Sequence, residues 1–304
     1  IFNSLDMYAS TTTIPEDIKS NVASPHAKRY GELSSIPHLD LTNAGPAGSI
    51  YSNLEDMTTY LQFWLNKGSF NRKSILDTTT VLNIYSPEIL VNSRSPKTLT
   101  WSESNFNAYG LGWFLHDYEK YKIVEHGGNT DGMSSLLAMI PERKTGVVLL
   151  TNMGNTFLTY VIMYEIFNRL LETDGQNFNE QFLKYKSQFE KQYRKIEAGS
   201  NTKEGQGYPP SPKVRKYTGT YENNLYGPVE IELTEAEKLS IEFTDLGFKG
   251  ALFHKTHNTF SISWESYHLL LMANFPRVTF QLDAGDKREI LKVGDEVTLK
   301  RVRE

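Results

Sequence analysis

Hydrophobic and polar residues alternate with two different periods along the chain, and the period changes near residue 212. Before that point, apolar positions at helical spacing predict helices over 53–66, 156–171 and about 179–197, and a mostly helical stretch over 70–92. Four apolar runs between them predict an antiparallel meander of strands, at Tyr109–Leu115, Lys122–Glu125, Ser134–Ile140 and Thr145–Asn152. This pattern is that of an α+β fold, an antiparallel sheet flanked by helices.

The second part of the chain follows a segment, 198–212, that has the composition of a flexible linker ending in prolines. After it, alternation with a period of two predicts eight short strands, at 219–221, 229–234, 239–243, 250–255, 259–263, 268–273, 278–282 and 289–293. Short strands at this spacing are typical of a small closed β-barrel or a sandwich. We therefore predict an α+β domain over 1–197, a linker over 198–212 and an all-β domain over 213–304.

Local signals refine the first domain. Residues 1–46 have weak periodicity and several Pro, Ser and Thr residues, which predicts extended segments lying over another element. Ser52 and Glu55 have the spacing of a capping box, which predicts that Ser52 caps the helix over 53–66. The polar stretch 93–108 is predicted to be a loop.

Composition excludes several kinds of function. The chain has 304 residues, a net charge of −4 and no cysteine. The charge favours neither nucleic acid nor a membrane surface as a partner, and the lack of cysteine excludes disulfides and thiol catalysis. No apolar run is long enough for a membrane span. The start at Ile1 suggests a processed or truncated chain, and the cellular compartment stays open.

The candidate chemistry lies at His126-Gly127-Gly128-Asn129, directly after the strand predicted to end at Glu125. A histidine exchanges a proton near neutral pH, and glycines let a substrate lie close to the backbone. The alternative is a hairpin loop that contains an incidental histidine.

Four stretches resemble the serine β-lactamase-related family, which includes class C β-lactamases, D-Ala-D-Ala carboxypeptidases and esterases. They are the segments IFNSLDM at 1–7, AGSIYSNLEDM at 47–57, YGLGW at 109–113, and HGG at 126–128 continuing to Asn152. Ser4 and Asp6 depart from the family pattern in the first segment. The barrel, with Tyr217-x-Gly219-x-Tyr221 near its start, resembles the lipocalin-like domain attached to many members.

The resemblance implies acyl transfer through a serine ester, with hydrolysis of an amide, ester or lactam and without a metal or cofactor. In the family, the nucleophile motif Ser-x-x-Lys and the Tyr-x-Asn motif lie upstream of the segment that matches 1–7, so this chain would be the C-terminal part of such a hydrolase. His126 would serve catalysis, and Gly127, Gly128 and Asn129 would bind a small-molecule or peptide substrate. The upstream N-terminal segment of the same protein would be the partner that carries the serine.

Two other interpretations stay open: a catalytically inactive binding or regulatory member of the fold, and a ligand-binding barrel with the rest as scaffold. Three other motifs are rejected as functional sites. Tyr51-Ser52-Asn53 spells Tyr-x-Asn at a helix start, and Ser200-Asn201-Thr202-Lys203 spells Ser-x-x-Lys inside the linker. His254 and His257 lack a third ligand at metal spacing and are predicted to be a surface pair.

Overall fold

The structure is a computed structural model that describes residues 1–14, 21–29, 32–39, 41–91, 104–154, 156–173, 177–184, 187, 213–234, 236–264, 277–282, 288–294 and 297–303. The chain forms two compact units, Ile1–Lys184 and Tyr185–Glu304. The predicted linker over 198–212 and the predicted strand over 268–273 lie outside the described residues, so the proposed domain boundary stays a prediction.

The first unit is built on a six-stranded antiparallel sheet. Two short hairpins come first, β1 (His26–Arg29) with β2 (Glu32–Ser35) and β3 (Ser69–Phe70) with β4 (Lys73–Ser74). The sheet strands are β5 (Ile89–Leu90), β6 (Asn107–Tyr109), β7 (Phe114–Tyr118), β8 (Tyr121–Thr130), β9 (Met133–Ile140) and β10 (Thr145–Thr151), and each is hydrogen-bonded to the next.

Helices lie on this frame as α1 (Gly45–Gly48), α2 (Leu54–Leu65), α3 (Thr78–Ile84) and α4 (Leu158–Leu171), and residues 178–184 are helical. Short 3-10 turns occur at Asn3–Leu5, Thr42–Ala44 and Pro141–Arg143. The α+β fold predicted from the sequence is confirmed. Among the described residues, no helix combines the length and the apolar character that a membrane span requires.

Alternating side chains of the sheet belong to two separate cores. Val124 of β8 packs in a cluster that includes Leu61 and Trp64 of α2, and the neighbouring Ile123 packs in a cluster that includes Met163 and Phe167 of α4. Successive residues of a strand point to opposite faces, so the sheet is the middle layer between α2 and α4. The strand that carries His126 is therefore supported from both sides.

The first residues of the chain lie over helix α2, as the sequence predicts. The buried Asp56 carboxylate of α2 accepts hydrogen bonds from the Ala9 amide at 3.0 Å and from the Ser10 hydroxyl at 2.8 Å. Leu5 and Met7 are buried in the core beneath. The hydrogen bonds to Asp56 and the burial of Leu5 and Met7 thus hold this segment against α2, although it has little regular secondary structure.

Three local predictions were wrong. Most of 70–92 is not helical, because a hairpin turn places Asn71 and Arg72 at positive φ, 48° and 64°. The helix begins only after Asp77, whose carboxylate caps it by accepting a hydrogen bond from the Thr80 amide. The predicted strand over 109–115 is two strands joined by a turn.

The predicted cap of α2 was also wrong. Ser52 does not cap the helix; the Asn53 side chain accepts a hydrogen bond from the Asp56 amide at 2.9 Å instead.

The second unit begins with a 3-10 turn at Val214–Tyr217 and contains a closed antiparallel barrel of eight strands. These are β11 (Gly219–Asn223), β12 (Gly227–Leu233), β13 (Leu239–Phe243), β14 (Phe248–Thr256), β15 (Thr259–Trp264), β16 (Arg277–Leu282), β17 (Arg288–Val293) and β18 (Val297–Arg303). The sequence prediction missed β18, which pairs with both β17 and β11 and so closes the barrel. Its alternation of Val297 and Leu299 with polar residues carried the signal.

The interior of the barrel holds a cluster of buried aromatic and aliphatic side chains. Phe280 lies at its centre, with ring centroids 4.5 Å from Tyr217 and 5.7 Å from Phe260. The predicted core residues Phe243, Phe260, Trp264 and Phe280 are members of this cluster. Phe253, which was also predicted to be core, is only half-buried and lies outside the cluster.

We expect Phe280→Ala to lower the free energy of unfolding of the barrel by about 3–5 kcal/mol, because it removes a fully buried ring and leaves a cavity. Urea unfolding would measure this change. Leu225→Ala is the control, since Leu225 is 80% exposed and should change stability by less than about 0.5 kcal/mol. Equal effects of the two substitutions would contradict a packed barrel interior.

Candidate active site

Strand β8 is longer than the sequence predicted. It continues from Tyr121 through Thr130, and a two-residue turn at Asp131-Gly132 connects it to β9. His126, Gly127, Gly128 and Asn129 are therefore strand residues, five residues of β8 lie beyond the predicted strand end at Glu125, and the alternative of a hairpin loop at this position is wrong. The register with β9 is continuous, from Val124 opposite Met139 to Thr130 opposite Met133.

The outer half of β8 pairs with a described strand on one side only. Strand β7 pairs with β8 from Tyr121 only as far as Glu125, which lies opposite Phe114. Among the described strands, β9 alone pairs with the stretch from His126 to Thr130. An unpaired strand edge presents backbone N–H and C=O groups that an extended chain can bind.

The His126 side chain is exposed at this open edge and has aromatic neighbours. The Tyr109 hydroxyl lies 3.2 Å from His126 Nε2, and the tautomer of the ring decides which group donates the hydrogen bond. The Phe114 ring centroid is 5.6 Å from that of His126 and 4.6 Å from that of Tyr109. Tyr109, Phe114 and His126 thus form an aromatic group in which one histidine nitrogen has a defined partner.

The two glycines are required for packing within the protein. A Cβ on Gly127 would stand 2.7 Å from the Tyr160 hydroxyl of α4, and a Cβ on Gly128 would overlap the Ser135 hydroxyl of β9. Neither glycine has a positive φ. The constraint at both positions is steric, and it comes from protein groups on α4 and β9.

Behind the strand, Glu125 lies between the sheet and α4. Its side chain is buried, and the Tyr160 hydroxyl lies 3.4 Å from its Oε2 atom. Burial raises the pKa of the Glu125 carboxyl to about 8, against the opposing effect of the Tyr160 hydrogen bond. Burial and the neighbouring Glu125 also raise the pKa of Tyr160 well above its ordinary value.

A second buried polar pair lies on the same side of the sheet. The Tyr164 hydroxyl is 2.9 Å from His116 Nε2, and both side chains are buried. Burial lowers the pKa of the His116 imidazole to about 4, against the opposing effect of nearby Asp117, so the ring is neutral at neutral pH. Sequence reasoning missed Glu125, His116, Tyr109 and Tyr160. Glu125 lies two residues after the apolar Ile123 and therefore on the same face of the strand, and this carboxyl on an apolar face could have revealed Glu125.

The remaining predicted candidates have structural partners. Asn129 Oδ1 accepts the Ser134 hydroxyl at 2.8 Å across the β8–β9 hairpin. His254 Nε2 lies 3.0 Å from the His257 carbonyl oxygen, within one hairpin of the barrel. The described part of the chain contains no cluster of three His, Asp or Glu side chains that could hold a metal ion. The Ser200–Lys203 motif lies outside the described residues.

The barrel has a concavity of its own, with a volume of about 230 Å³. Its walls combine apolar and basic side chains, including Leu239, Leu252, Phe253, Lys238 and His254. Lys238 Nζ lies 5.7 Å from the centre of the Phe253 ring. Leu239, Leu252 and Phe260 of its lining also belong to the buried cluster of the barrel.

A three-layered α+β unit with an exposed His-Gly-Gly strand, followed by a closed antiparallel barrel, corresponds to the class of β-lactamase-related proteins with an appended β-domain. The family model described as beta-lactamase matches residues 1–159, just over half of the chain, and the chain belongs to that family. A model described as a domain of unknown function (DUF3471) matches residues 203–301.

Curated relatives with this similarity include the unguisins hydrolase ungD of Aspergillus violaceofuscus, which is 25% identical over 70% of this chain and 41% of its own length. Penicillin-binding protein 4 of Amycolatopsis lactamdurans is 27% identical over 60% of this chain and 46% of its own length. The chain thus spans less than half of either relative. Among solved structures, a penicillin-binding protein homologue from Pyrococcus abyssi aligns with 98% of this chain and 58% of its own, with 16% identity and a TM-score of 0.48.

We expect Gly127→Ala to lower the free energy of unfolding by about 1–3 kcal/mol, because the new methyl group overlaps the Tyr160 hydroxyl. Tyr160→Phe removes that hydroxyl, so the double variant should recover part of the loss. A double-mutant cycle measured by urea unfolding tests this coupling. Strictly additive effects would exclude the contact.

The low pKa of His116 predicts a pH dependence of stability. The folded protein binds fewer protons than the unfolded chain between pH 6.5 and about 4, so stability is lost as pH falls through that range. The slope from this group is at most about 1.4 kcal/mol per pH unit. His116→Gln should remove it, as measured by urea unfolding at several pH values. The exposed His38→Gln is the control, and equal slopes in both variants would contradict the assignment.

Proposed function

We propose that this chain is the C-terminal part of a serine hydrolase that cleaves an amide, ester or lactam through an acyl-serine intermediate. The observation that carries the proposal is His126, exposed beside the open edge of β8 and hydrogen-bonded to Tyr109. Membership of the beta-lactamase family supports it. The names of the two relatives, a hydrolase of unguisins and a penicillin-binding protein, agree with a hydrolytic or acyl-transfer reaction.

In this proposal the nucleophile comes from outside the 304 residues. The Ser-x-x-Lys and Tyr-x-Asn motifs would lie in the part of the relatives' length that this chain does not span. The lysine would deprotonate the serine hydroxyl, which attacks the carbonyl carbon of the substrate. Water would then hydrolyse the acyl-enzyme and regenerate the serine.

The described residues would contribute the wall of the site. Tyr109 engages Nε2 of His126, and it is the hydrogen-bond partner of that ring among the described residues. The other nitrogen, Nδ1, is then available to exchange a proton with the reacting groups or to bind a substrate carboxylate. A backbone N–H group of Gly128 or Asn129 would stabilise the oxyanion, and loss of such a donor slows acyl transfer by about 10²- to 10³-fold.

The open side of β8 suits an extended substrate. A peptide or peptide-like chain can add to an exposed strand edge through main-chain hydrogen bonds. The stretch from His126 to Thr130 is long enough to pair with a few residues of such a substrate. We therefore propose that the substrate binds antiparallel or parallel to this stretch, with its scissile bond near His126.

In the full-length protein, we expect His126→Ala to slow acylation by roughly 10²-fold or more, because a positioned acid or base typically contributes that much. The measurement is the rate of labelling by a fluorophosphonate or a fluorescent penicillin. His254→Ala in the barrel is the matched histidine control and should leave the rate unchanged. An unchanged rate in His126→Ala would remove His126 from the site.

The same experiment separates the hydrolase from a binding protein that has kept the fold without catalysis. A full-length sequence that lacks Ser-x-x-Lys followed by Tyr-x-Asn, together with a lack of labelling, would exclude the hydrolase. Binding of an unmodified peptide without turnover would then support the binding protein. Tight binding of a lipid-like dye by the barrel would support a ligand-binding role for the second unit.

A further inference from the structure

One hydroxyl group of α4 touches both residues that flank His126 in the chain. The Tyr160 hydroxyl lies 3.4 Å from the Glu125 carboxyl and occupies the space beside the Gly127 Cα that a Cβ would enter. Glu125 and Gly127 share one face of β8, since side chains alternate along a strand. The Glu125–Tyr160 pair therefore holds the segment that carries His126 against α4, on the face of β8 opposite to the His126 side chain.

The surroundings of Glu125 favour a neutral carboxyl. Its register partners on the adjacent strands are Phe114 and Ala138, and it is 6% exposed. Burial outweighs the hydrogen bond from Tyr160 and raises the carboxyl pKa to about 8. A buried carboxylate usually needs two or three good donors or a cation, and one phenol at 3.4 Å is a weak substitute.

Three titratable groups face this carboxyl from the neighbouring elements. Helix α4 contributes Tyr160 and Tyr164, whose pKa values burial and Glu125 raise further above the ordinary value. Strand β7 contributes His116, whose pKa of about 4 keeps it neutral above that pH. Strand β9 contributes the apolar Leu136, Ala138 and Ile140 on this face. Within this cluster, Glu125 is the group that changes charge between pH 6 and 9.

We propose that Glu125 is a positioning residue for His126-Gly127-Gly128 and that the proton on its carboxyl regulates this segment. In the neutral form, Glu125 and Tyr160 hold β8 against α4. When the carboxyl loses its proton, it draws water into the α4 interface and loosens the segment. The regulatory effect on turnover rests on the proposed hydrolase function, whereas the structural effect does not.

The structural effect can be measured on the 304-residue chain. NMR would follow hydrogen-exchange protection of those amides of the His126–Thr130 stretch that donate to β9, together with the ring signals of His126, from pH 6 to 9. We expect protection to fall as pH rises from 6 towards 8, by up to about tenfold per pH unit, and to level off above about pH 8, because the ionised fraction rises tenfold per unit only below the carboxyl pKa. The His126 signals should change in the same range beyond the titration of the ring itself.

Two substitutions and one control decide the assignment. Glu125→Gln keeps the shape and stays neutral, so the fall in protection between pH 6 and 8 should disappear. Tyr160→Phe should reduce protection of these β9-bonded amides at every pH. Tyr164→Phe removes a hydroxyl one helical turn away that contacts His116, and it should leave these amides unchanged.

The proposal is overturned if Glu125→Gln shows the same pH profile as the parent chain. It is also overturned if Tyr160→Phe behaves like Tyr164→Phe, and this comparison decides the matter should Glu125→Gln fail to fold. In the full-length protein, kcat/KM should fall above pH 8. In Glu125→Gln, kcat/KM should keep its value above pH 8. A full-length protein without turnover would refute the hydrolase proposal, while the exchange data would still test Glu125.

Discussion

The end of pairing between β7 and β8 at Glu125 is the constraint on which the candidate site depends. Up to that residue β8 is an interior strand with a partner on each side. Beyond it, the strand keeps β9 and opens its other edge among the described residues. His126 is the first residue of this open stretch, so its exposure and its access to an extended ligand have the same origin.

An open strand segment needs support from elsewhere if it is to hold a side chain in place. Here α2 packs under Val124 on one face and α4 packs against Ile123 on the other. The buried polar pair of Glu125 and Tyr160 lies at the point where the apolar layers give way to the open edge. Burying this polar pair costs more free energy than burying an apolar pair of the same size. Its presence therefore indicates a role other than stability.

The sequence predicted the frame better than the details. Strand β9, helix α4 and seven of the barrel strands follow strong periodic patterns, and packing confirms them. Local turn chemistry overrode weaker patterns: positive φ at Asn71 and Arg72 replaced a predicted helix with a hairpin. The predicted end of the strand at Glu125 was too early, because β9 continues the pairing through the two glycines as far as Thr130.

The partners of the His126 segment could not be predicted from the local sequence, since Tyr109, which contacts His126, lies 17 residues before it, and Tyr160, which contacts Glu125 and Gly127, lies 34 residues after it. Only the pairing of β6, β7 and β8 and the packing of α4 bring them together. The structure also changes the physical reason for the glycine pair. The sequence suggested that Gly127 and Gly128 make room for substrate, yet Tyr160 and Ser135 occupy the space beside them. The glycines allow α4 and β9 to approach the strand closely, and that close approach holds the backbone beside His126 in place.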